Sequence, residues 1–344
     1  MKPLFGIALL FLSSAFLCSG GSAQIVIIIP TATPTPIPTP TPNRDFNKDG
    51  QVNAKDLLDF IQGWHTGTAG DVVTVDIPNL QSGARPLKLV RIPAGTFQMG
   101  ALSSERGVGF GEGPAHIVTV EKDFYLSVTE ITQAQWEAIT GKNIADQRDL
   151  ADTSFQIYTV GKDVPIYYVS WNDAQDFISG LNALGQGTFR FPSEAEWEYA
   201  CRAGSNSRFF FGDSLNCDDN CADCAENLLA TNTRADYMWH CFTDGINGYT
   251  RGPKEVGSLL PNPFGLYDMH GNVWEYCQDW YHPTYSGAPT DGSAWEDPVS
   301  TQRIYRGGHS FAHADICRSA FRSAIDPSTR HTYAGVRIAM DAPE

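Results

Sequence analysis

The sequence is poor in basic residues and in long apolar runs. Its 344 residues include 24 lysines and arginines against 39 aspartates and glutamates, a formal net charge of −15. This balance argues against a nucleic-acid partner and against an anionic membrane surface, because both attract positive charge. After the N-terminal segment no run is long and apolar enough to cross a bilayer. We therefore predict no nucleic-acid partner and no transmembrane segment.

Several motifs that mark common enzymes are also missing. The glycine-rich stretch 107–113 lacks the Gly-Lys-Ser/Thr of a phosphate-binding loop, so it is interpreted as a flexible connection. Neither HExxH nor a Gly-x-Ser-x-Gly elbow occurs anywhere in the chain. The zinc-peptidase and serine-hydrolase mechanisms that depend on these motifs are excluded.

The first 23 residues have the pattern of a secretory signal. Lys2 supplies positive charge, residues 4–17 form a short apolar region, and Gly-Ser-Ala at 21–23 is a small-residue cleavage site. A lipid anchor on Cys18 is the weaker alternative, because a large leucine precedes it. The mature protein is expected to be exported, extracellular or periplasmic, after cleavage near Ala23.

Residues 24–43 end in alternating proline and threonine, a composition that favours an extended linker and cannot form a core. Residues 44–66 then contain one loop with the spacing of an EF-hand, with Gly50 at its sharp turn. Its predicted calcium ligands are Asp45, Asn47, Asp49, Gln51, Asn53 and Asp56.

This loop and the apolar helix face behind it resemble one half of a type I dockerin, but a second repeat is absent. A calcium-stiffened spacer and a dockerin-like attachment to a cohesin partner therefore remain alternatives. Residues 67–84 are interpreted as a linker with one strand.

Short elements follow, as expected for an α+β domain with little regular structure. Alternating apolar residues predict strands over 72–76, 87–92 and 116–120. Helices are predicted over 133–139, 171–181 and 194–202, each after a capping hydroxyl, at Thr132, Ser170 and Ser193.

The stretch 262–275, NPFGLYDMHGNVWE, combines large apolar residues with two glycines. It is too broken for a helix and too apolar for a surface loop, so it should be buried without regular structure. Buried irregular backbone leaves carbonyl groups without hydrogen-bond partners, so another group must satisfy them. The acidic side chains of Asp268 and Glu275 suggest that this group is a calcium ion.

Seven cysteines remain after removal of the signal, so at least one lacks a disulfide partner within the chain. Cys217, Cys221, Cys224 and Cys241 could form two disulfides, with three pairings open, or one four-thiolate zinc site. Export favours the disulfides.

Five motifs in the second half identify a family resemblance. They are PIYYVSWNDA at 165–174, RFPSEAEWEYACRAG at 190–204, NPFGLYDMHGNVWEY at 262–276, RGG at 306–308 and GVR at 335–337. From about residue 85 to 344 the chain resembles the formylglycine-generating enzyme, or sulfatase-modifying factor, family. The resemblance implies an α+β, C-type-lectin-like fold with little regular structure, stabilised by calcium.

The resemblance also assigns calcium ligands. It places one site on Asp268, Gly271, Val273 and Glu275. A second site would begin at Asn227 and Leu228, with Asp244 as a candidate later ligand. The position that usually bridges to Cys201 is Ile338 here, so Cys201 is expected to be a buried free thiol.

Active members of the family resemble copper-dependent oxidases that convert a cysteine of a client sulfatase to formylglycine. They use two cysteines five residues apart after the RGG motif. In this sequence the second position is Cys317, but the first is Ala312, and the serine expected after the glycines is His309. The two-sulfur copper site is therefore incomplete.

Two explanations of this departure are open. His309, His313 and Cys317 offer two imidazoles and a thiol, a set suited to copper or zinc, and could serve an altered sulfatase-maturing oxidase. Alternatively, the histidines belong to a variable loop and Cys317 is a small buried residue.

The segments 309–316, 323–325 and 331–334 depart from the family pattern, whereas 317–322 and Gly335 keep it. Variation confined to loops on a fixed scaffold is typical of a recognition module, as in hypervariable receptors on this fold. The leading prediction is a calcium-stabilised binding or accessory domain that meets a protein or glycan ligand at the 309–334 loops. A sulfatase-maturing oxidase acting on a sulfatase client is the alternative.

Overall fold

The computed structural model describes residues 71–212, 219, 221, 233–245 and 250–343. The signal, the linker and the whole EF-hand-like loop 45–56 lie outside the described residues, and so do Cys217, Cys224, Asn227 and Leu228. What the sequence suggests for them stays a prediction.

The described part of the chain is a mixed α+β structure with short elements. Its strands are β1 (Val72–Val75), β2 (Leu87–Ile92), β3 (Gly95–Met99), β4 (His116–Val120), β5 (Phe124–Ser127), β6 (Phe189–Arg190), β7 (Trp274–Trp280), β8 (Arg303–Arg306), β9 (Ser323–Ile325), β10 (Ala334–Gly335) and β11 (Ala339–Asp341). Its helices are α1 (Gln133–Thr140), α2 (Ile144–Ala151), α3 (Trp171–Asn182) and α4 (Glu194–Arg202), with 3₁₀ turns at Arg234–Asp236, Cys241–Thr243 and Ala314–Cys317.

Three sheets organise these strands. The first has the order β1-β2-β5-β11-β6 and is antiparallel throughout, so strands from both ends of the domain share it. The second has the order β10-β7-β8-β9, with β10 parallel to β7. The third is the β3–β4 hairpin. The predicted strands at 72–76, 87–92 and 116–120 are thereby confirmed.

Side-chain caps begin the helices where the sequence predicts them. The hydroxyls of Thr132, Ser170 and Ser193 each accept the backbone N–H three residues later, and the residue at that position returns the bond. Helix α2 was not predicted; Asn143 caps it, but only Ile144 and Gln147 of its eight residues are buried. A helix that buries so little leaves a weak apolar pattern in the sequence.

The main core lies between the first sheet and helices α1 and α3. Trp136 of α1 stacks on Phe177 of α3 with ring centroids 5.1 Å apart and planes 6° from parallel. Helix α4 differs from these two, because all nine of its residues are buried. It contacts β3, β4, β7 and β8, and therefore joins the hairpin to the second sheet.

The stretch 262–273 is irregular, as predicted, and β7 begins at Trp274. Residues 268–273 are buried, whereas Pro263 is exposed and Phe264, Gly265 and Tyr267 are half-buried. The course of the stretch depends on left-handed backbone at Asp268 (φ 60°) and Gly271 (φ 95°). A β-carbon at Gly271 would clash with the carbonyl of Trp239, so the two backbones pass too closely for any side chain.

The glycine-rich loop was predicted to be a flexible connection, and this is corrected. The guanidinium of Arg318 donates to the carbonyl of Gly107 at 2.6 Å and to both carboxylate oxygens of Glu112 at 2.8 and 2.9 Å. Arg322 donates to the carbonyl of Gly111 at 3.1 Å. The partners lie more than 200 residues apart, so local composition could not reveal the contact.

A network of buried ion pairs connects α4 to the C-terminal third of the domain. Arg306 pairs with Glu198 of α4, and Arg322 pairs with Glu194 at 2.7 Å. Arg202 also reaches Glu198, at 2.8 Å. Arg306 donates further to the carbonyl of Ala320 at 2.8 Å, which fixes the segment after Cys317 against the helix.

No helix in the described ranges is long and apolar enough to cross a bilayer.

Substituting Arg306 by leucine should destabilise the domain strongly, because it leaves the buried carboxylate of Glu198 with one fewer cation. We expect a loss of about 3–5 kcal/mol in the free energy of unfolding, measured by urea denaturation. The matched control is Arg91→Leu, which removes a surface pair with Asp123 and should cost under about 1 kcal/mol. Equal losses in the two variants would contradict the importance given to the buried network.

Candidate functional site

The loop that carries the predicted catalytic positions follows β8. Gly307 and Gly308 both have positive φ, 92° and 78°, and the loop ends in the 3₁₀ turn Ala314–Cys317. A β-carbon at Gly308 would collide with the sulfur of Cys317. Glycine at this position therefore lets the backbone pass directly against the thiol.

Cys317 is a free thiol in an apolar environment. It is fully buried and belongs to a cluster with Phe209, Met238, Ala312 and Ala314. Burial raises the pKa of the Cys317 thiol to about 12, although the backbone N–H of His309 opposes the shift. The thiol is therefore protonated at neutral pH, whereas the thiolate is the form that binds metals and attacks substrates.

His309 lies in an aromatic stack. Its ring is 4.5 Å from Tyr333 with planes 7° apart, and 5.7 Å from Trp274. Burial, together with the nearby His331, lowers the pKa of His309 to about 3, so the ring is neutral. Its Nδ1 accepts the N–H of Phe311 at 3.3 Å.

His313 lies elsewhere. It is exposed, and its ring is near the sulfurs of Cys221 and Cys241. The structure therefore does not bring His309, His313 and Cys317 together as one metal centre, which corrects the set suggested by their spacing. The reason is the local structure. His309 packs in its aromatic stack, and the 3₁₀ turn that begins at Ala314 buries Cys317. His313 lies just before this turn and is exposed to solvent.

Cys221 and Cys241 form a disulfide with an S–S distance of 2.07 Å. Disulfide formation is thus confirmed for this pair, and a four-thiolate zinc site is not formed while the bond is present. Cys201, Cys277 and Cys317 are free and buried, so the prediction for Cys201 is confirmed.

His270 supports the loop that follows β8 and was missed by the sequence reasoning. Its Nδ1 donates to the carbonyl of Cys317 at 2.7 Å, and its Nε2 accepts the N–H of Phe210 at 3.3 Å. Burial lowers the pKa of His270 to about 4, so the ring is neutral and in one tautomer. Its position within the motif DMHGN was the sequence signal that could have identified it.

A second group of interest is a buried acidic cluster around the predicted calcium site. Glu275 accepts hydrogen bonds on one carboxylate oxygen from Trp197 Nε1 at 2.6 Å and Arg337 Nε at 2.8 Å. Asp268 accepts the N–H of Gly257 at 2.7 Å. The second oxygen of each carboxylate is buried and has no hydrogen-bond partner.

Glu130 joins this cluster and was also missed. It is fully buried and neither of its carboxylate oxygens has a hydrogen-bond partner. Burial and the neighbouring Asp268 raise the pKa of Glu130 well above its usual value, and burial raises the pKa of Asp268 to about 6. No local motif links the two residues, because Glu130 lies 138 positions before Asp268 in the chain.

The cluster has a surplus of negative charge that a divalent cation would offset, although no three of its carboxylate oxygens, one from each residue, lie within 4.8 Å of one another. Glu130, Asp268 and Glu275 are three carboxylates against one guanidinium, that of Arg337, which leaves two formal negative charges when all are ionised. Their unpartnered oxygens are the ligands that calcium prefers. Asp244 of the other predicted site is different, because Arg251 Nε lies 3.7 Å from its carboxylate.

Comparison with known proteins now decides the family. A model described as "Sulfatase-modifying factor enzyme 1-like domain" matches residues 78–342. The chain belongs to this family.

Two relatives illustrate the family match. The "Formylglycine-generating enzyme" of Streptomyces coelicolor is 28% identical over 298 residues, which cover 74% of this chain and 89% of the relative. The solved structure of PvdO from Pseudomonas aeruginosa is 31% identical, with a TM-score of 0.63 over 74% of this chain and 94% of PvdO. The resemblance inferred from the motifs is thus confirmed for the domain.

A more distant structure shows the fold alone. The Treponema denticola variable protein 1 is 23% identical, with a TM-score of 0.59 over 79% of this chain and 99% of that one.

A group of aromatic side chains lies beside the 309–316 loop. Phe311 is 49% exposed, and the guanidinium of Arg251 lies 5.2 Å from the centre of its ring. Arg251 also lies 5.4 Å from the ring centre of Tyr158, which stacks on Tyr333 at 5.9 Å. We call Tyr158, Arg251, Phe311 and Tyr333 the aromatic face. Four separated segments contribute to it, and one of them is the 309–316 loop.

The lowered pKa of His270 predicts acid sensitivity. Unfolded histidine takes a proton below pH 6.5, whereas the native ring stays neutral to about pH 4, so stability falls as pH drops through this window. Between pH 7 and 5 this one group should remove about 2 kcal/mol from the free energy of unfolding.

The variant His270→Gln keeps a donor and an acceptor but cannot titrate. Urea denaturation at pH 7 and pH 5 should therefore show a smaller loss for this variant than for the wild type. An equal loss in both proteins would show that His270 does not cause the acid sensitivity.

Proposed function

We propose that this chain is an exported, calcium-stabilised binding or accessory domain of the sulfatase-modifying factor family, without the two-thiolate oxidation chemistry of the family's enzymes. One observation carries the proposal: Cys317 is a single, buried, protonated thiol, and Ala312 occupies the same apolar cluster where the resemblance expects the other sulfur.

The copper chemistry depends on the missing group. Cu(I) is a soft ion that prefers thiolate ligands, and one sulfur cannot form a two-sulfur site. The nearest candidates for replacement do not compensate, since His309 is held in an aromatic stack and His313 is directed to the disulfide. The scaffold around the loop is nevertheless intact, which suits a domain kept for binding.

The aromatic face supports recognition of a protein or glycan ligand at the 309–334 loops. Phe311 is exposed, whereas Tyr158 is half-buried and Tyr333 is buried. Aromatic rings offer a large contact area at a low cost in side-chain entropy, and they stack on sugar rings and on peptide side chains. Arg251, which lies over two of the rings, adds a donor for hydrogen bonds. The related proteins named for formylglycine generation make a sulfatase client the alternative partner.

Calcium would be held at the acidic cluster. Asp268 and Glu275 would supply carboxylate oxygens, Gly271 and Val273 would supply carbonyls as the resemblance suggests, and Glu130 is an additional candidate ligand. The ion would supply positive charge to a buried site that has a surplus of carboxylates. The chain's own residues hold the cluster together, because Arg337 and Trp197 fix the orientation of Glu275.

Export is supported by the Cys221–Cys241 disulfide, since such bonds persist in oxidising compartments. Together with the N-terminal signal pattern, it suggests an extracellular or periplasmic protein. The C-type-lectin-like relationship, the EF-hand-like loop 45–56 and its role as a spacer or dockerin-like attachment are part of the proposal on sequence grounds alone.

Sulfatase maturation is tested directly. A cysteine-containing sulfatase peptide is incubated with the mature protein and Cu(I), and conversion to formylglycine is followed by mass spectrometry. We expect no conversion by the wild type or by Cys317→Ala, because a thiolate pair cannot form. Conversion by the wild type that disappears in Cys317→Ala would overturn the proposal and favour an oxidase with an altered metal site.

The variant Ala312→Cys is the matched gain-of-function control. It places a second thiol in the same cluster as Cys317, so with the Cys221–Cys241 disulfide intact, copper retention after gel filtration should appear in this variant and be absent from the wild type.

Calcium binding predicts a stability shift. With free calcium at 100 times its Kd, the domain should gain about 2.7 kcal/mol, seen as a fall in Tm of several degrees when a chelator is added. Asp268→Asn should abolish most of this shift, whereas Asp49→Ala, in the separate EF-hand-like loop, should preserve it. The shift should weaken as pH falls below about 6, because protons then compete for Asp268. A Tm unchanged by chelator would contradict the site.

A further inference from the structure

A group of potential metal ligands lies apart from both sites already described. The sulfurs of Cys221 and Cys241 and a ring nitrogen of His313 all lie within 4.8 Å of one another. In the part of the chain that the structure describes, this is the only such group of three or more histidine, cysteine or acidic side chains. It adds His313, from a distant segment, to two cysteines that their spacing already associates.

The three segments are held in place without the disulfide. The N–H of Ala314 donates to the carbonyl of Asp219 at 3.0 Å, which joins the His313 segment to the Cys221 segment. The N–H of Cys241 donates to the carbonyl of Ala312 at 2.9 Å, which joins it to the same loop. These backbone bonds flank His313 on both sides.

The Cys221 segment has a further anchor at Asp219. Its carboxylate accepts from Arg106 at 2.8 Å and from Arg208 at 2.9 Å, and Arg234 lies 3.3 Å away. Opening the disulfide would therefore leave the two sulfurs and the imidazole close together.

The group is also accessible. Cys221 and His313 are exposed, while Cys241 is buried beneath them. A thiol reductant can reach the exposed sulfur, and a metal ion can enter from the same side. Cys317, by contrast, is fully buried.

We propose that reduction converts the Cys221–Cys241 disulfide into a site for one thiophilic metal ion, Zn²⁺ or Cu⁺, bound by the two sulfurs and the His313 imidazole. Two molecules of a thiol reductant supply two electrons and two protons, the S–S bond breaks, and the reductant becomes its own disulfide. Metal binding then releases the two thiol protons to solvent, so the bound ligands are two thiolates and one neutral imidazole.

The chemistry of the ligands supports this choice. Two thiolates and one imidazole form a known zinc ligand set with an open fourth position for water, and soft sulfur ligands equally suit Cu⁺. Bonds of about 2.0–2.3 Å in a tetrahedral centre place the ligand atoms under about 4 Å apart, which agrees with the compact group observed. Only small side-chain movements are required.

The site would couple the redox state of Cys221 and Cys241 to the 309–316 loop. His313 lies two residues after Phe311, within the 309–316 loop that contributes to the aromatic face. Metal binding would fix this edge of the loop directly, whereas the disulfide leaves His313 uncoordinated. The inference is independent of the proposed binding function, because it concerns the metal alone.

The test uses the full mature chain in oxidised form and after reduction and anaerobic removal of the reductant. Zn²⁺ and Cu⁺ are titrated separately against chromophoric chelators, and Co²⁺ serves as a spectroscopic probe of tetrahedral thiolate ligation. We expect one ion per reduced chain and none per oxidised chain. His313→Gln should weaken affinity by more than the roughly 10–100-fold that the loss of an outer-shell partner costs, and should shift the Co²⁺ spectrum.

Matched variants separate this site from other thiols. Cys221→Ser and Cys241→Ser should abolish binding, whereas Cys224→Ser, Cys317→Ala and His116→Gln should retain it. Because His313 and Cys221 are exposed, their substitution should leave the fold intact, checked by thermal unfolding. Three results would overturn the proposal: no metal retained after reduction, unchanged binding in His313→Gln, or binding that depends on Cys224 or Cys317 instead.

Discussion

Buried arginine–carboxylate pairs hold together a domain that has few and short regular elements. Arg306 and Arg322 reach Glu198 and Glu194 on helix α4, while Arg337 reaches Glu275 at the start of β7. Each guanidinium also donates to the backbone carbonyl of an irregular segment, so it replaces a hydrogen bond that a helix or sheet would provide. Removing one partner leaves a buried charge, which makes the framework intolerant of change.

Under the proposed function, this rigid framework lets the domain keep its shape without the two-thiolate chemistry of the family's enzymes. The loop around Cys317 is fixed by His270, Gly308 and Arg318, none of which depends on a second sulfur at position 312. At position 312 the methyl group of alanine packs in the apolar cluster that contains Cys317. The exposed residues of the same loop are then free to vary, because the hydrogen bonds and ion pairs of the framework beneath them do not involve them.

The parts of the fold set by neighbouring residues were predictable from the sequence, and the parts set by distant partners were not. Helix caps at Thr132, Ser170 and Ser193 depend on residues three positions away, and all three were predicted. Glu130 could not be assigned to the acidic cluster, since its neighbours there come from the other half of the domain. The anchoring of the glycine-rich loop and the approach of His313 to a disulfide were missed for the same reason. Asp268 and Glu275 could be assigned to one cluster from the sequence because one short motif contains both.

The position of β11 has a consequence for how the chain acquires its structure. Residues 339–341 lie within the first sheet, between β5 and β6, and thus bridge segments made much earlier during synthesis. The sheet cannot be completed before these residues have left the ribosome. Until then β6 lacks the strand that joins it to β5, so the first sheet forms late in the synthesis of the domain.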